Sequence, residues 1–285
     1  MVIALLGAVP AALAEVMVVA DSENPKHRDF VTALGAECEE GLGVYDINGP
    51  LPLEGDWGAV IAVGGRAGAW VAAHRPGQRR LYALVPEAAG REWLVDASDD
   101  GLFLDTDPLF VAHLLRVALP HVAAVRVLVG PNTGDYGDHM AATARAVGLT
   151  PHVLGVNMEP GDAELDGAEL DAIFAEGDAV VVAADPVVLN RETVVPLIRG
   201  AYLRDRPLIA HSESAVRAGA LMALHSTPER LGREAADWLR DSPGHWTPYA
   251  TEYELSVNYG VARAIGLDLP SQRELERRLE EGMAP

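Results

Sequence analysis

The chain has 285 residues, of which 49% are hydrophobic, and 42 Asp and Glu against 22 Lys and Arg leave a net charge of −20. That is enough apolar material for two domains with full cores and no disulfide framework, and the single Cys38 has no second cysteine to pair with. Nucleic acid is excluded as a partner, because binding it needs a basic footprint, and an anionic membrane surface is disfavoured for the same reason.

Residues 1–14 read MVIALLGAVPAALA, an apolar run that contains Pro10 and ends in the small-x-small pattern Ala12-Leu13-Ala14. This is expected to be a signal peptide that lacks a positive n-region; the alternative is a first buried strand. The run is too short to cross a membrane as a helix, and no later run is longer. Cleavage would leave Glu15 first, with no cysteine there to carry a lipid.

From Glu15 the elements alternate. Glu15 to Ala20 reads as a strand, with Asp21-Ser22-Glu23-Asn24-Pro25 as its loop, and Phe30, Val31, Leu34 and Cys38 then recur at helical spacing. Short strands are expected at 44–47, 57–63, 81–85 and 102–104. The second is closed by Gly64-Gly65-Arg66-Ala67-Gly68 and a short helix, and the third is followed by Pro86-Glu87. A helix over 108–119 places Leu109, Ala112, Leu115 and Leu119 on one face. The strand 125–129 leads into Gly130-Pro131-Asn132-Thr133-Gly134-Asp135-Tyr136, then come a helix over 138–147, a strand over 151–156 and a short helix near 170–174.

The apolar run Val180–Val182 ends in Asp185-Pro186. A helical pattern, a second run at 207–210 and the polar turn His211-Ser212-Glu213 follow. Strand, loop, helix, strand and loop in this order put both loops at the carboxyl ends of parallel strands, where open α/β sheets bind ligands. Asp185 also suits a helix cap. A helix opens at Ser226-Thr227-Pro228-Glu229 and buries Leu231, Ala235, Trp238 and Leu239, Tyr253 falls in a strand, and Ser271 to Glu274 form a capping box for a terminal helix. Alternating strands and helices argue for parallel sheets covered on both faces.

Catalytic signatures are few. There is no Gly-x-Ser-x-Gly and no His-Glu-x-x-His, and the histidines show no metal spacing. The consecutive residues His211-Ser212-Glu213 do not converge as a triad would. Gly64-Gly65-Arg66-Ala67-Gly68 is neither a dinucleotide fingerprint nor a Walker loop. Neither an enzyme nor a cofactor is expected. The same loop suits a carboxylate instead, because backbone N–H groups at a helix start attract anions. Ser22, Asn132 and Thr133 stand at comparable strand ends, Asp185 would meet an ammonium group, and Tyr136 would stack on an aromatic ring. Trp57 and Trp70 are expected in the core or on the surface of the first lobe.

Ala183-Ala184-Asp185-Pro186, Arg206-Pro207-Leu208-Ile209, Ala218-Gly219-Ala220-Leu221 and Leu231-Gly232-Arg233-Glu234-Ala235-Ala236 resemble the substrate-binding proteins of uncharacterised ABC transporters, some of which bind tryptophan. Tyr253 to Asn258 and Ala262 to Pro270 continue the likeness, which covers roughly residues 15–270. It departs at Gly64-Gly65, where many members carry Gly-Thr, and at Val85-Pro86-Glu87, where many carry Thr-Asp-Pro; Arg66 and Glu87 would then read a different polar group. The resemblance implies two Rossmann-like parallel-sheet lobes joined by a hinge, of the type I periplasmic-binding kind. Lobe 1 would take 15–107 plus 224–247 and lobe 2 would take 108–223 plus 248–285. It also implies a periplasmic monomer that closes on a small molecule, an amino acid being the candidate, and presents it to an inner-membrane ABC permease. The ligand contacts would come from Ser22, Gly65, Arg66, Pro86, Glu87, Asn132, Thr133, Tyr136, Asp185 and Ser212. Two other readings stay open. A sensor feeding a signalling partner would be separated by gene neighbourhood, and a two-lobe nucleotide-sugar enzyme would be revealed by nucleotide binding.

Overall fold

The computed structural model describes residues 16–38, 41–55, 57–156, 165, 167–175, 178–185, 187–241 and 247–283. The expected signal peptide, 1–14, and Pro186 lie outside the described residues. The first elements are β1 (Val16–Ala20), α1 (Pro25–Glu37), β2 (Leu42–Asp46), β3 (Ala59–Val63), α2 (Gly65–His74) and β4 (Arg80–Ala83). Next come the short α3 (Glu87–Gly90), a 3-10 turn (Arg91–Trp93), β5 (Asp99–Leu102), α4 (Pro108–Ala118), β6 (Ala124–Val129), α5 (Gly134–Ala146) and β7 (Thr150–Gly155). The chain continues with α6 (Gly167–Ala175), β8 (Ala179–Val182), α7 (Arg191–Leu203), β9 (Leu208–Ala210), α8 (Glu213–Ala218) and β10 (Met222–His225). It ends with α9 (Pro228–Arg240), β11 (Glu254–Val257), α10 (Tyr259–Ala264) and α11 (Gln272–Met283).

Two compact units form. The first comprises Met1–Leu84, Trp93–Asp100 and Pro228–Trp246, and the second Val85–Glu92, Gly101–Thr227 and Thr247–Pro285. One sheet has the order β2-β1-β3-β4-β5, and the pairings of β1 with β2, β1 with β3 and β3 with β4 are parallel. The other has the order β11-β10-β9-β8-β6-β7 and is parallel except for the antiparallel pair of β10 with β11. Residues 85–92 and 101–107, placed in lobe 1 on sequence, pack with the second unit. Their bonds explain this: the Phe103 N–H donates to the Pro248 carbonyl at 2.8 Å, and the Leu104 N–H to the Val85 carbonyl at 2.9 Å.

In the first unit α1 begins cleanly because Asn24 caps it, accepting the Lys26 N–H at 3.0 Å, with Pro25 in the first turn where its missing N–H costs nothing. Its buried residues Phe30 and Leu34 meet α9, which buries Leu231, Ala235, Ala236 and Trp238. A full side chain of this size contributes about 1.5–3 kcal/mol on burial. The helices approach so closely that a Cβ on Gly232 would stand 2.4 Å from the Phe30 carbonyl oxygen. The indole N–H of Trp238 is satisfied by Asp100 Oδ2 at 2.7 Å.

In the second unit the strands are apolar on both faces. Val125, Val127 and Val129 of β6 and Val181 of β8 join one buried cluster, while Leu128, Val180 and Val182 join the other. Alternate side chains point to opposite faces, so a continuous apolar run is what a strand covered on both sides requires. The fourth expected strand, 102–104, sits earlier in the structure, at Asp99–Leu102, and Tyr253 lies just before β11.

Candidate functional site

In the first unit, loops from the carboxyl ends of three adjacent parallel strands carry a linked set of polar groups. The Ser22 hydroxyl after β1 donates to Asp46 at the end of β2. The Asn48 amide donates to Asp46 Oδ1 at 3.1 Å and to Asp21 Oδ1 at 3.0 Å, and Arg66, in the first turn of α2, donates to Asn48 Oδ1 at 2.8 Å. The Ser22 hydroxyl, and then the backbone N–H of Asn48, hold the Asp46 carboxyl below the ordinary range. Arg28 Nη1 donates to the carbonyls of Ser22 and Glu23, both at 3.0 Å, which ties the β1 loop to α1.

The start of α2 has no side-chain cap: Gly64 stands before it at φ 84°, and Gly65 is exposed with open space around its Cα. Gly65 and Arg66 are both exposed in its first turn, and a helix start beside a guanidinium attracts an anionic group. Among the described residues Arg66 has no carboxylate in an ion pair. A pocket of about 200 Å³ opens beside this network, lined by Asp21, Ser22, His27, Arg28, Tyr45 and Asp46.

The second unit gathers a different set, and this one is buried. The Asp105 carboxylate accepts the Glu87 N–H at 2.6 Å, and Glu87 in turn accepts the Tyr249 hydroxyl at 2.8 Å and pairs with Arg91. Asp105 and Glu87 are 2% and 3% exposed, and Asp105 Oδ1 is buried with no hydrogen-bond partner among the described residues. Burial pushes the Asp105 carboxyl up to about 7; the Glu87 N–H opposes this, and the charges of Glu87 and Asp185 add to it. Burial, followed by the Glu87 charge, also raises the Tyr249 hydroxyl.

Beside this set, at the ends of β6 and β8, Thr133 and Asp185 meet. The Thr133 hydroxyl donates to Asp185 Oδ2 at 3.2 Å and accepts the Gly130 N–H at 2.8 Å, while Asp185 Oδ1 accepts the Val187 N–H at 2.8 Å. A Cβ at Gly130 would lie 2.2 Å from Asp185 Cγ, so only glycine lets the two loops approach. Asp185 is 1% exposed, and both of its oxygens serve the protein. The expected helix cap at this residue is instead Asn190, which accepts from Glu192 and Thr193 at 2.8 and 3.0 Å.

The remaining sequence-derived residues are placed as follows. Tyr136 is buried among the apolar residues of the second unit, its hydroxyl donating to the Thr106 carbonyl at 3.2 Å, so its ring is a core ring. Asn132 is exposed on the loop after β6, and Pro86 sits at the start of α3. Ser212 caps α8, accepting the Ala215 N–H at 3.3 Å, and lines a separate pocket of about 380 Å³ with Asn190, His211 and Ser214. Trp57 packs edge-on against Tyr45, with ring centres 5.8 Å apart, and Trp70 stacks on His74 at 4.8 Å. The sequence pointed to Ser22, Gly65 and Arg66 in one unit and to Glu87, Thr133 and Asp185 in the other. It missed Asp46, Asn48, Asp105 and Tyr249, whose only signal was a polar side chain just beyond, or well apart from, an apolar run.

Among solved structures the chain is similar to a ligand-free, open substrate-binding protein with adhesive properties from Clostridium difficile. The identity is 16%, over 90% of this chain and 96% of that one, with a TM-score of 0.64. It is also similar to an ABC domain in complex with L-Trp from Streptococcus pneumoniae, at 15% identity, 94% and 98% coverage and a TM-score of 0.60. A leucine-binding protein from Thermotoga maritima aligns at 10% identity, 93% and 87% coverage and a TM-score of 0.54. The fold is that of the type I periplasmic binding proteins. At these identities the likeness speaks for the fold alone. No protein-family model and no curated protein matches the sequence. Among the described residues no helix is long and apolar enough to cross a membrane, and no three His, Cys, Asp or Glu are grouped to hold a metal ion.

Proposed function

We propose that this chain is the solute-binding component of an ABC importer and that its ligand is a small zwitterion of the amino acid class. The observation that carries the reading is the exposed, hydrogen-bonded network Ser22–Asp46–Asn48–Arg66, built on three adjacent strand ends of a type I periplasmic-binding fold. Arg66 and the uncapped start of α2 would take the carboxylate. Asp21 and Asp46 would take the ammonium group. Burying both charged ends of such a ligand costs several kcal/mol unless each is paired, so a site with both signs of charge suits it. In the second unit Asp185 and Thr133 hold their own loops in shape. Export by residues 1–14, a periplasmic location, a monomeric state and delivery to a permease belong to the same proposal. L-tryptophan and leucine, named with two of the similar structures, head the panel of ligands to try.

A thermal-shift screen against amino acids, small peptides, sugars and nucleotides tests it. A ligand at about a hundred times its dissociation constant stabilises the folded state by about 2.7 kcal/mol. Stabilisation by amino acids is the expected result, and stabilisation by nucleotides alone would overturn the reading in favour of an enzyme.

A further inference from the structure

His27 lies where two strand-end loops of the first unit meet. Its ring nitrogen Nδ1 accepts the backbone N–H of Asp21 at 3.1 Å, so the loop after β1 hangs on an unprotonated nitrogen. On its other side the ring lies against the turn between β3 and α2: a Cβ on Gly64 would stand 2.4 Å from His27 Cε1 and 2.7 Å from Nε2. Only glycine fits there, both for space and because φ is 84°. One ring therefore joins the loop that carries Ser22 to the turn that carries Gly65 and Arg66. Nδ1 is an acceptor only in the neutral tautomer with its proton on Nε2, since a second proton would set two donors face to face.

We propose that His27 is a positioning residue: in its neutral form it holds the Asp21–Ser22 loop and the Gly64–Arg66 turn in register, and its protonation releases them and weakens ligand binding. This rests on reading the first unit's loops as ligand contacts. Charged residues stand on each element that meets the ring. Asp21, from the loop after β1, favours protonation. Asp46, from the end of β2, lines the same pocket. Lys26 and Arg28 flank it on α1, and Arg66 follows the Gly64 turn. Half-burial outweighs the Asp21 charge and lowers the His27 value below its ordinary 6.5. The loops are therefore held at neutral pH and released as the pH falls through that lowered value.

The test is an NMR titration of the full chain from pH 8 to pH 4.5, with wild type, His27→Asn and His27→Ala. Asparagine keeps an acceptor near the Nδ1 position that does not titrate. In wild type, Nδ1 is expected to be unprotonated at pH 8, and the protection of the Asp21 amide against hydrogen exchange, corrected for intrinsic rates, should fall about fivefold as His27 protonates, the loss of one net hydrogen bond. The Gly65 and Arg66 amides should shift with the same midpoint. His27→Asn should hold its protection across the range, and His27→Ala should lack it throughout. A proton on Nδ1 at pH 8, or Asp21 protection indifferent to the His27 titration, overturns the proposal. In a second arm an equimolar pool of the twenty amino acids is the probe; its affinity should fall at acid pH in wild type and stay flat in His27→Asn. If the pool fails to bind at any pH, the site assignment fails, while the exchange data still decide the role of His27.

Discussion

Replacing Asp105 by asparagine should make the protein more stable in mild alkali. The carboxyl rises from 3.8 to about 7 in the folded chain. At ~1.36 kcal/mol for each pH unit, ionising it in place costs about 4 kcal/mol relative to the unfolded chain. The native state holds this proton more tightly than the unfolded state. The contribution is therefore fully present below 3.8 and is lost as the pH climbs through about 7. Asparagine carries no charge and keeps a carbonyl oxygen for the Glu87 N–H, which now sits 2.6 Å from the carboxylate. Urea unfolding followed by circular dichroism at pH 5 and pH 8.5 reads the effect. By pH 5 the unfolded carboxyl is already ionised and about 1.7 kcal/mol of the contribution is lost, so Asp105→Asn should gain on wild type by about 2.7 kcal/mol between the lower pH and the higher one. Parallel pH profiles for the two would refute the reasoning, because they would mean that Asp105 ionises in the folded chain as freely as in the unfolded one.

Gly130→Ala should lower the melting temperature, since its Cβ would strike the Asp185 carboxylate at 2.2 Å; the displacement should cost about 1–3 kcal/mol, and an unchanged transition in calorimetry would contradict the packing described. Arg66→Ala should leave stability within about 0.5 kcal/mol, because the residue is exposed, yet weaken ligand affinity about tenfold or more through the loss of a charge-assisted bond. Titration calorimetry separates the two quantities, and an undiminished affinity would remove Arg66 from the site.

The alternation of strands and helices was legible because apolar runs such as Val180–Val182 and helical spacings such as Phe30 with Leu34 are local patterns. So was the place of glycine and polar residues at the strand ends, where Ser22, Gly65 and Arg66 stand. β10 was not, since Met222–His225 lacks β-branched residues and owes its state to pairing with β9 and β11. Partnerships across the chain were illegible in principle. Tyr249 reaches Glu87 across 162 positions, and Thr133 reaches Asp185 across 52, and no local signal announces either. For the same reason Asp185 read as a group offered to a ligand, although its burial and its bonds to Thr133 and Val187 make it the holder of its own loop. Tyr136 read as a stacking ring for the opposite reason: its loop-like surroundings of Gly, Asp and Asn concealed the first turn of α5, which turns it inward.

The central claim is that the protein reads both charged ends of a small zwitterion. Titration calorimetry of the best amino acid from the screen, set beside its methyl ester and its N-acetyl derivative, measures this directly. The ester removes the partner of Arg66 and the acetyl group removes the partner of Asp21 and Asp46, so each should bind at least about tenfold more weakly than the parent. Equal affinity for all three, or no affinity for any amino acid, would contradict the account.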